Sequence, residues 1–218
     1  IGQPFTLTVT INPTPVIPAQ SLTICSGGNV NFTPINSLPQ TIVPNGTVYS
    51  WGLPTSNPAN AISGATALVN QNAIVQTLTS SAVNTSTATY TITPSTNGCV
   101  GLPFQFVVTL YPAPNIPNAT QNACSSSPIN YSPANVPAGT NFIWSLPIIT
   151  GGITGASAQN VGVNTFTQTL VNPTNIVQTA TYTIVPQSGA AGACPGTPFT
   201  LTITLNPTPV IGNSVLTS

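Results

Sequence analysis

The sequence predicts an all-β chain of two tandem sandwiches with about seven strands each, and three observations predict it. Apolar and polar residues alternate with a period of two: Phe5, Leu7, Val9 and Ile11 with Thr6, Thr8 and Thr10, then Phe199, Leu201, Ile203 and Leu205 with Thr200, Thr202 and Thr204. One apolar and one polar face mark a half-buried antiparallel strand. The same landmarks recur at 99 residues (Pro4 to Pro103) and again at 95 (Pro103 to Pro198), the signature of a repeat architecture. Two cysteines fall in each repeat.

Taken in chain order, the first motif is Pro4-Phe5-Thr6-Leu7-Thr8-Val9-Thr10-Ile11-Asn12-Pro13-Thr14-Pro15-Val16-Ile17. It returns almost verbatim from Pro198 to Ile211, and a looser copy runs from Pro103 to Pro114. Val30 and Phe32 begin a second apolar face. Tyr49, Trp51 and Leu53 share a face, and Phe142, Trp144 and Leu146 are their counterparts. Gln76-Thr77-Leu78 matches Gln168-Thr169-Leu170. Ala88, Tyr90 and Ile92 alternate with threonines, as Ala180, Tyr182 and Ile184 do. Threonine has a high strand propensity and suits the outer face. Pro44-Asn45-Gly46, Ser56-Asn57-Pro58, Ser95-Thr96-Asn97-Gly98 and Pro137-Ala138-Gly139 supply the turns between runs. No stretch keeps a 3.6-residue period over three turns.

The recurrence sets the expected organisation. Residues 13–112 and 113–206 form two complete repeats. Residues 1–12 read as the last strand of a preceding repeat, and residues 207–218 as a linker and the start of a following one. Such a chain reads as an excerpt from a longer array. Pro13-Thr14-Pro15, Pro112-Ala113-Pro114 and Pro207-Thr208-Pro209 are short, stiff joints, because proline fixes φ and favours extended geometry. The strand carrying Phe5, Leu7, Val9 and Ile11 has no vacancy in this chain, since Phe104–Leu110 and Phe199–Leu205 already fill that position in each repeat. It is expected to complete a sandwich elsewhere, either in a covalent array or by strand complementation between subunits.

Four cysteines allow three pairings. Pairing within each repeat, Cys25–Cys99 and Cys124–Cys194, alone gives both repeats the same internal bridge. Each bridge would contribute roughly 4 kcal/mol by the chain-entropy model. The competing readings are four reduced core thiols or a zinc site, the latter opposed by long spacings and the lack of histidine. Disulfides imply an oxidising, extracellular compartment. Trp51, Trp144, Tyr90 and Tyr182 recur at fixed places among alternating apolar residues and are expected in the core, the tryptophans against the disulfide.

Composition excludes much chemistry. Among 218 residues, Lys+Arg, Asp+Glu, His and Met are all zero, and Gly and Pro number 17 and 24. No general acid or base of the usual kind, no Ser-His-Asp relay and no carboxylate cage for calcium can be assembled. No basic patch exists to neutralise phosphates. The expectation is therefore a non-enzyme without metal or cofactor, and without nucleic-acid partners. Disorder is opposed by 40% hydrophobic residues and a mean hydropathy of +0.30. No run of about 18 apolar residues occurs, so no membrane span is expected in this segment. An uncharged surface has little repulsion and favours association with copies of itself. Asn31, Asn45, Asn84, Asn118 and Asn130 head Asn-x-Ser/Thr triplets and would accept glycans in a eukaryotic secreted protein.

Cys25-Ser26-Gly27, Tyr49-Ser50-Trp51, Ala88-Thr89-Tyr90-Thr91, Gly98-Cys99 and a final strand ending at Pro112 follow one another in the first repeat. In this order they resemble the immunoglobulin-like, PKD-like repeats of long cell-surface proteins of Bacteroidetes-type bacteria. The second repeat departs at Cys124-Ser125-Ser126, where the glycine is missing, and the Asp-Gly turn of typical PKD domains is absent. The resemblance implies surface adhesins or stalks. The leading expectation is a structural repeat of an extracellular filament or adhesin stalk whose partners are other copies or repeats of itself. A carbohydrate-binding module is the alternative, and it requires solvent-exposed aromatics such as Trp51 or Trp144.

Overall fold

The computed structural model describes residues 2–189 and 192–209. Expectations for residues 210–218 lie outside the described residues. The chain folds into two compact units, Ile1–Tyr111 and Pro112–Ser218. Among the described residues there is no helix.

Unit 1 carries β1 (Gln20–Cys25), β2 (Asn29–Phe32), β3 (Val48–Trp51), β4 (Thr55–Asn57), β5 (Ile62–Ser63), β6 (Leu68–Gln71), β7 (Ile74–Thr77), β8 (Thr79–Ser80), β9 (Ser86–Thr96), β10 (Cys99–Val100) and β11 (Phe104–Tyr111). Its main sheet runs β1-β11-β9-β3-β6, with β4 and β10 also paired to β9. The pairs β2-β7 and β5-β8 are separate. Val30 of β2 and Ile74 of β7 meet Tyr49, Trp51, Tyr90, Ile92, Phe106 and Leu110 of the main sheet in one buried cluster, which makes the unit a sandwich. The strands form where the alternation is strongest. In β11, Phe104, Phe106, Val108 and Leu110 point inward while Gln105, Val107, Thr109 and Tyr111 are less buried. Burying each large apolar side chain stabilises the fold by about 1.5–3 kcal/mol.

Unit 2 repeats this plan with β12 (Ala119–Cys124), β13 (Pro128–Tyr131), β14 (Asn141–Trp144), β15 (Ile148–Ile149), β16 (Gln159–Val163), β17 (Phe166–Thr169), β18 (Gln178–Gln187) and β19 (Phe199–Asn206). The main sheet is β12-β19-β18-β14-β16, with β15 on β18, and β13-β17 forms the other layer. Ile129 and Phe166 close the core over Trp144, Tyr182, Phe199 and Leu201. The strand pieces outnumber the seven expected per repeat because two- and three-residue segments such as β4, β5 and β10 pair separately.

Three expectations need correction. The pairings Cys25–Cys99 and Cys124–Cys194 do not form: Cys99 and Cys124 are free, whereas Cys25 and Cys194 are disulfide-bonded. The reason is the direction of β1. It runs parallel to β11, so Cys25 stands opposite Tyr111 at the strand's finishing end. Cys99 pairs with Thr96, at the end of β9 remote from Ser86, which faces Leu110. The two cysteines are therefore separated by about ten residues of β9, on the order of 30 Å. A disulfide needs Cα atoms within about 7 Å. In unit 2, Cys124 stands opposite Asn206, while Cys194 adjoins Pro195, which bridges Gln187 at the far end of β18. Without an internal bridge, the tryptophans do not pack on one, and the Trp144 ring instead lies 4.7 Å from that of Phe166. Finally, Leu53 and Leu146 are exposed and do not share the inward face of Trp51 and Trp144. β3 and β14 end at the tryptophans, and the chain leaves the sheet at Gly52-Leu53-Pro54 and Ser145-Leu146-Pro147.

Candidate functional site

The chemistry-bearing features are an exposed apolar segment, the two ends of each unit, and a buried polar network. The exposed segment is residues 4–11. Phe5, Leu7, Val9 and Ile11 are 88%, 77%, 70% and 88% exposed. They are in no strand and pair with no strand among the described residues. Their counterparts Phe199, Leu201, Ile203 and Leu205 are 2%, 0%, 0% and 0% exposed inside β19. The place that β19 takes in unit 2, between β18 and β12, is filled in unit 1 by β11, between β9 and β1.

Each unit has a head, where the Pro-x-Pro segment comes in, and a tail, where its last long strand finishes. At the head of unit 1 the Gly101 N–H donates to the Pro94 carbonyl at 2.9 Å. A side chain there would put Cβ 2.3 Å from the Pro15 carbonyl oxygen, so only glycine lets the incoming segment lie this close. Gly196 repeats the arrangement in unit 2, with its Cβ position 2.3 Å from the Pro114 oxygen. The Thr197 N–H also donates to the Pro114 carbonyl at 3.2 Å. Cys99 sits at the head of unit 1, and its thiol lies 3.8 Å from the Asn12 carbonyl oxygen. Cys124 sits at the tail of unit 2 and is exposed.

The core tyrosines, tryptophans and glutamines form the same network twice. Tyr90 donates its hydroxyl to Gln76 Oε1 at 2.6 Å. The Gln76 amide donates to the Thr66 carbonyl at 2.6 Å, and that carbonyl also accepts the Trp51 indole N–H at 2.9 Å. In unit 2, Tyr182 donates to Gln168 Oε1 at 3.2 Å. Gln168 Nε2 reaches the Ser157 carbonyl at 3.4 Å, which accepts Trp144 Nε1 at 3.0 Å. Trp51, Tyr90, Trp144 and Tyr182 are all buried. Burial in apolar surroundings disfavours the phenolate and pushes both Tyr90 and Tyr182 up to about 12. Gln76 and Gln168 were not singled out as core residues by sequence reasoning. The available signal was a polar residue on the inward side of an alternating strand, recurring in both repeats: Ile74 and Gln76 in β7, Phe166 and Gln168 in β17. Gly101 and Gly196 were also missed, although Gly-x-Pro-Phe recurs at Gly2, Gly101 and Gly196 with the repeat's own offsets.

The PKD-like domain profile matches residues 22–114 and 121–209. This chain belongs to the PKD-like domain family. Each PKD-like repeat accounts for one of the two units. No curated protein matches the chain. Among solved structures, the chain is similar to the titin I-band fragment I67-I69, at 7% identity and a TM-score of 0.35, covering 89% of this chain and 64% of that one. It is similar to the human desmocollin-1 ectodomain, at 11% identity and a TM-score of 0.36, covering 90% and 42%. A third likeness is to chicken CNTN1 FN1-FN3 domains, at 16% identity and a TM-score of 0.34, covering 88% and 66%. The chain therefore spans less than two thirds of each of these three.

Proposed function

We propose that these tandem PKD-like domains are a structural segment of an extracellular filament or cell-surface adhesin stalk of bacterial type, whose partners are further copies or repeats of the same kind. The observation that carries this reading is residues 4–11. They have the sequence of a sandwich strand, yet four large apolar side chains and a row of backbone N–H and C=O groups face solvent. An exposed edge of this kind is a template for pairing with another chain, and because β19 already fills the slot between β18 and β12, the pairing open to a second copy is along an end strand of a sheet such as β12. Three further features agree with a stalk. The joints are proline-rich, disulfide-bonded cysteines suit an oxidising compartment, and no ionic group need be desolvated when two surfaces meet. A sugar-binding platform built on Trp51 or Trp144 is disfavoured, because both indoles lie in the core with their N–H groups already bonded.

The test is amide hydrogen exchange read beside sedimentation velocity over a concentration series. The expected result is assembly at high concentration, with amides 5–11 passing from unprotected to strand-like protection in the assembled fraction. A chain that stays monomeric, or assembles with amides 5–11 still unprotected, would overturn the reading.

A further inference from the structure

The cysteines divide into two kinds by position. Cys25 and Cys124 are tail cysteines, each ending a parallel edge strand level with the finish of β11 or β19. Cys99 and Cys194 are head cysteines, each beside the turn that precedes that last strand, at the end where Pro15 or Pro114 packs on glycine. The disulfide-bonded cysteines, Cys25 and Cys194, comprise one tail and one head residue. The free cysteines, Cys99 and Cys124, are also one head and one tail residue. The same two structural positions thus occur oxidised in one instance and reduced in the other. Within a unit the two kinds are about 30 Å apart, too far to join each other.

We infer that Cys99 and Cys124 are the two halves of an intermolecular staple, in which the tail Cys124 of one copy of this chain forms a disulfide with the head Cys99 of a second copy. The inference rests on the stalk reading and adds to it a covalent, directional joint. Two observations beyond the free thiols support it. The sister residues at both positions are disulfide-bonded in the same chain, so both positions accommodate a bridge. Cys124 is exposed at the tail, and Cys99 is half-buried at the head with its sulfur near residue 12, next to the segment that has no strand partner among the described residues. An end-to-end contact made by residues 4–11 would bring a foreign tail to this head.

The chemistry balances with a small disulfide oxidant such as glutathione disulfide. The Cys124 thiol gives up its proton, and its sulfur attacks the oxidant's S–S bond, expelling one glutathione thiolate and leaving a mixed disulfide. The Cys99 sulfur of the second copy, also deprotonated, attacks Cys124 Sγ and expels the second glutathione. Two protein thiols are oxidised to one disulfide, and one glutathione disulfide is reduced to two glutathiones, which take up the two protons.

The experiment uses the full chain with glutathione disulfide, read on non-reducing gels and by chymotryptic peptide mapping, since the sequence offers trypsin no Lys or Arg. The wild-type chain is expected to give a ladder of multimers that a reductant dissolves, joined through Cys99–Cys124 peptides. Cys99→Ser and Cys124→Ser alone should give no ladder. Mixed together they should give a single dimer, about tenfold above that of either variant alone, because a docked joint raises the local thiol concentration. Equal dimer from each single variant would mean random thiol oxidation and would overturn the staple. Cys99→Ala and Cys124→Ala, with melting curves compared to wild type, guard against a folding defect. Sedimentation under reducing conditions separates the two ideas. Assembly without a Cys99–Cys124 bridge after oxidation removes the staple and leaves the stalk reading intact. The absence of both assembly and bridge removes both.

Discussion

Tyr90 and Gln76 show how an apolar core holds a polar group without penalty. The phenol donates to the amide oxygen, and the amide nitrogen donates to a carbonyl that also takes the Trp51 indole. Removing one partner strands the others, and a buried polar atom left without its hydrogen bond costs about 1–3 kcal/mol. Gln76→Leu is therefore expected to destabilise unit 1 by about 2–3 kcal/mol, since it orphans both the Tyr90 hydroxyl and part of the bonding at Thr66. Tyr90→Phe should cost less, about 1–2 kcal/mol, because only one acceptor loses its donor. The double variant should cost less than the two single losses combined, and a double-mutant cycle in denaturant measures that coupling. Additive losses would mean that the contact carries no energy. At this scale the tryptophans and tyrosines were legible in the sequence as recurring residues on apolar faces. Their acceptors were legible only as an oddity, a glutamine where alternation demands an apolar residue. The close packing of Gly101 on Pro15 was marked only by the recurrence of Gly-x-Pro-Phe at Gly2, Gly101 and Gly196, which does not say what the glycine meets, because contact between distant backbones is a product of the fold.

At the scale of the element, one sequence occurs in two states. Phe5-Thr6-Leu7-Thr8-Val9 and Phe199-Thr200-Leu201-Thr202-Ile203 differ by a methylene, yet the first is exposed and the second lies in β19. Local propensity is the same for both, so the neighbours decide: β18 and β12 supply hydrogen bonds and apolar contact to β19. Leu201→Ala is accordingly expected to destabilise unit 2 by about 2–5 kcal/mol. Leu7→Ala, chemically the same change, should leave the melting of the monomer unaltered within about 0.5 kcal/mol. Parallel thermal melts of the two variants check this, and an equal loss in both would show that residues 4–11 are packed in the monomer. The alternation that made these strands legible says which side chains share a face. It does not say whether a neighbouring strand runs parallel or antiparallel. That gap explains the misassigned cysteines. The parallel course of β1 carries Cys25 to the tail, and no pattern in Gln20–Cys25 encodes that direction.

At the scale of the whole molecule the governing fact is the absence of acidic, basic and imidazole side chains, which leaves tyrosine and cysteine as the ionisable side chains. Stability depends on pH only where folded and unfolded states bind different numbers of protons. Carboxylates are the usual source of acid denaturation and there are none on side chains here, so the melting temperature should be nearly constant between about pH 4 and 7. The alkaline side differs. Tyr90 in unit 1 and Tyr182 in unit 2 are each pushed up to about 12 by burial, while in the unfolded chain a tyrosine ionises near 10. Tyr49 and Tyr131 are raised in the same direction by burial. Above pH 10 the unfolded state has released protons that the folded state still holds. The slope of stability against pH is then negative, and the contribution present below pH 10 is lost as pH rises towards 12. For a shift of this size the loss approaches about 3 kcal/mol per core tyrosine. Urea melts from pH 4 to 11.5, run on a Cys99→Ser, Cys124→Ser background to suppress thiol exchange, should show a level plateau and a fall beginning near pH 10. Tyr90→Phe with Tyr182→Phe should start from lower stability but fall less steeply, since the two groups that most oppose ionisation are gone. A decline beginning near pH 4, or an alkaline limb unchanged by the two substitutions, would show that protons bind somewhere other than these buried phenols.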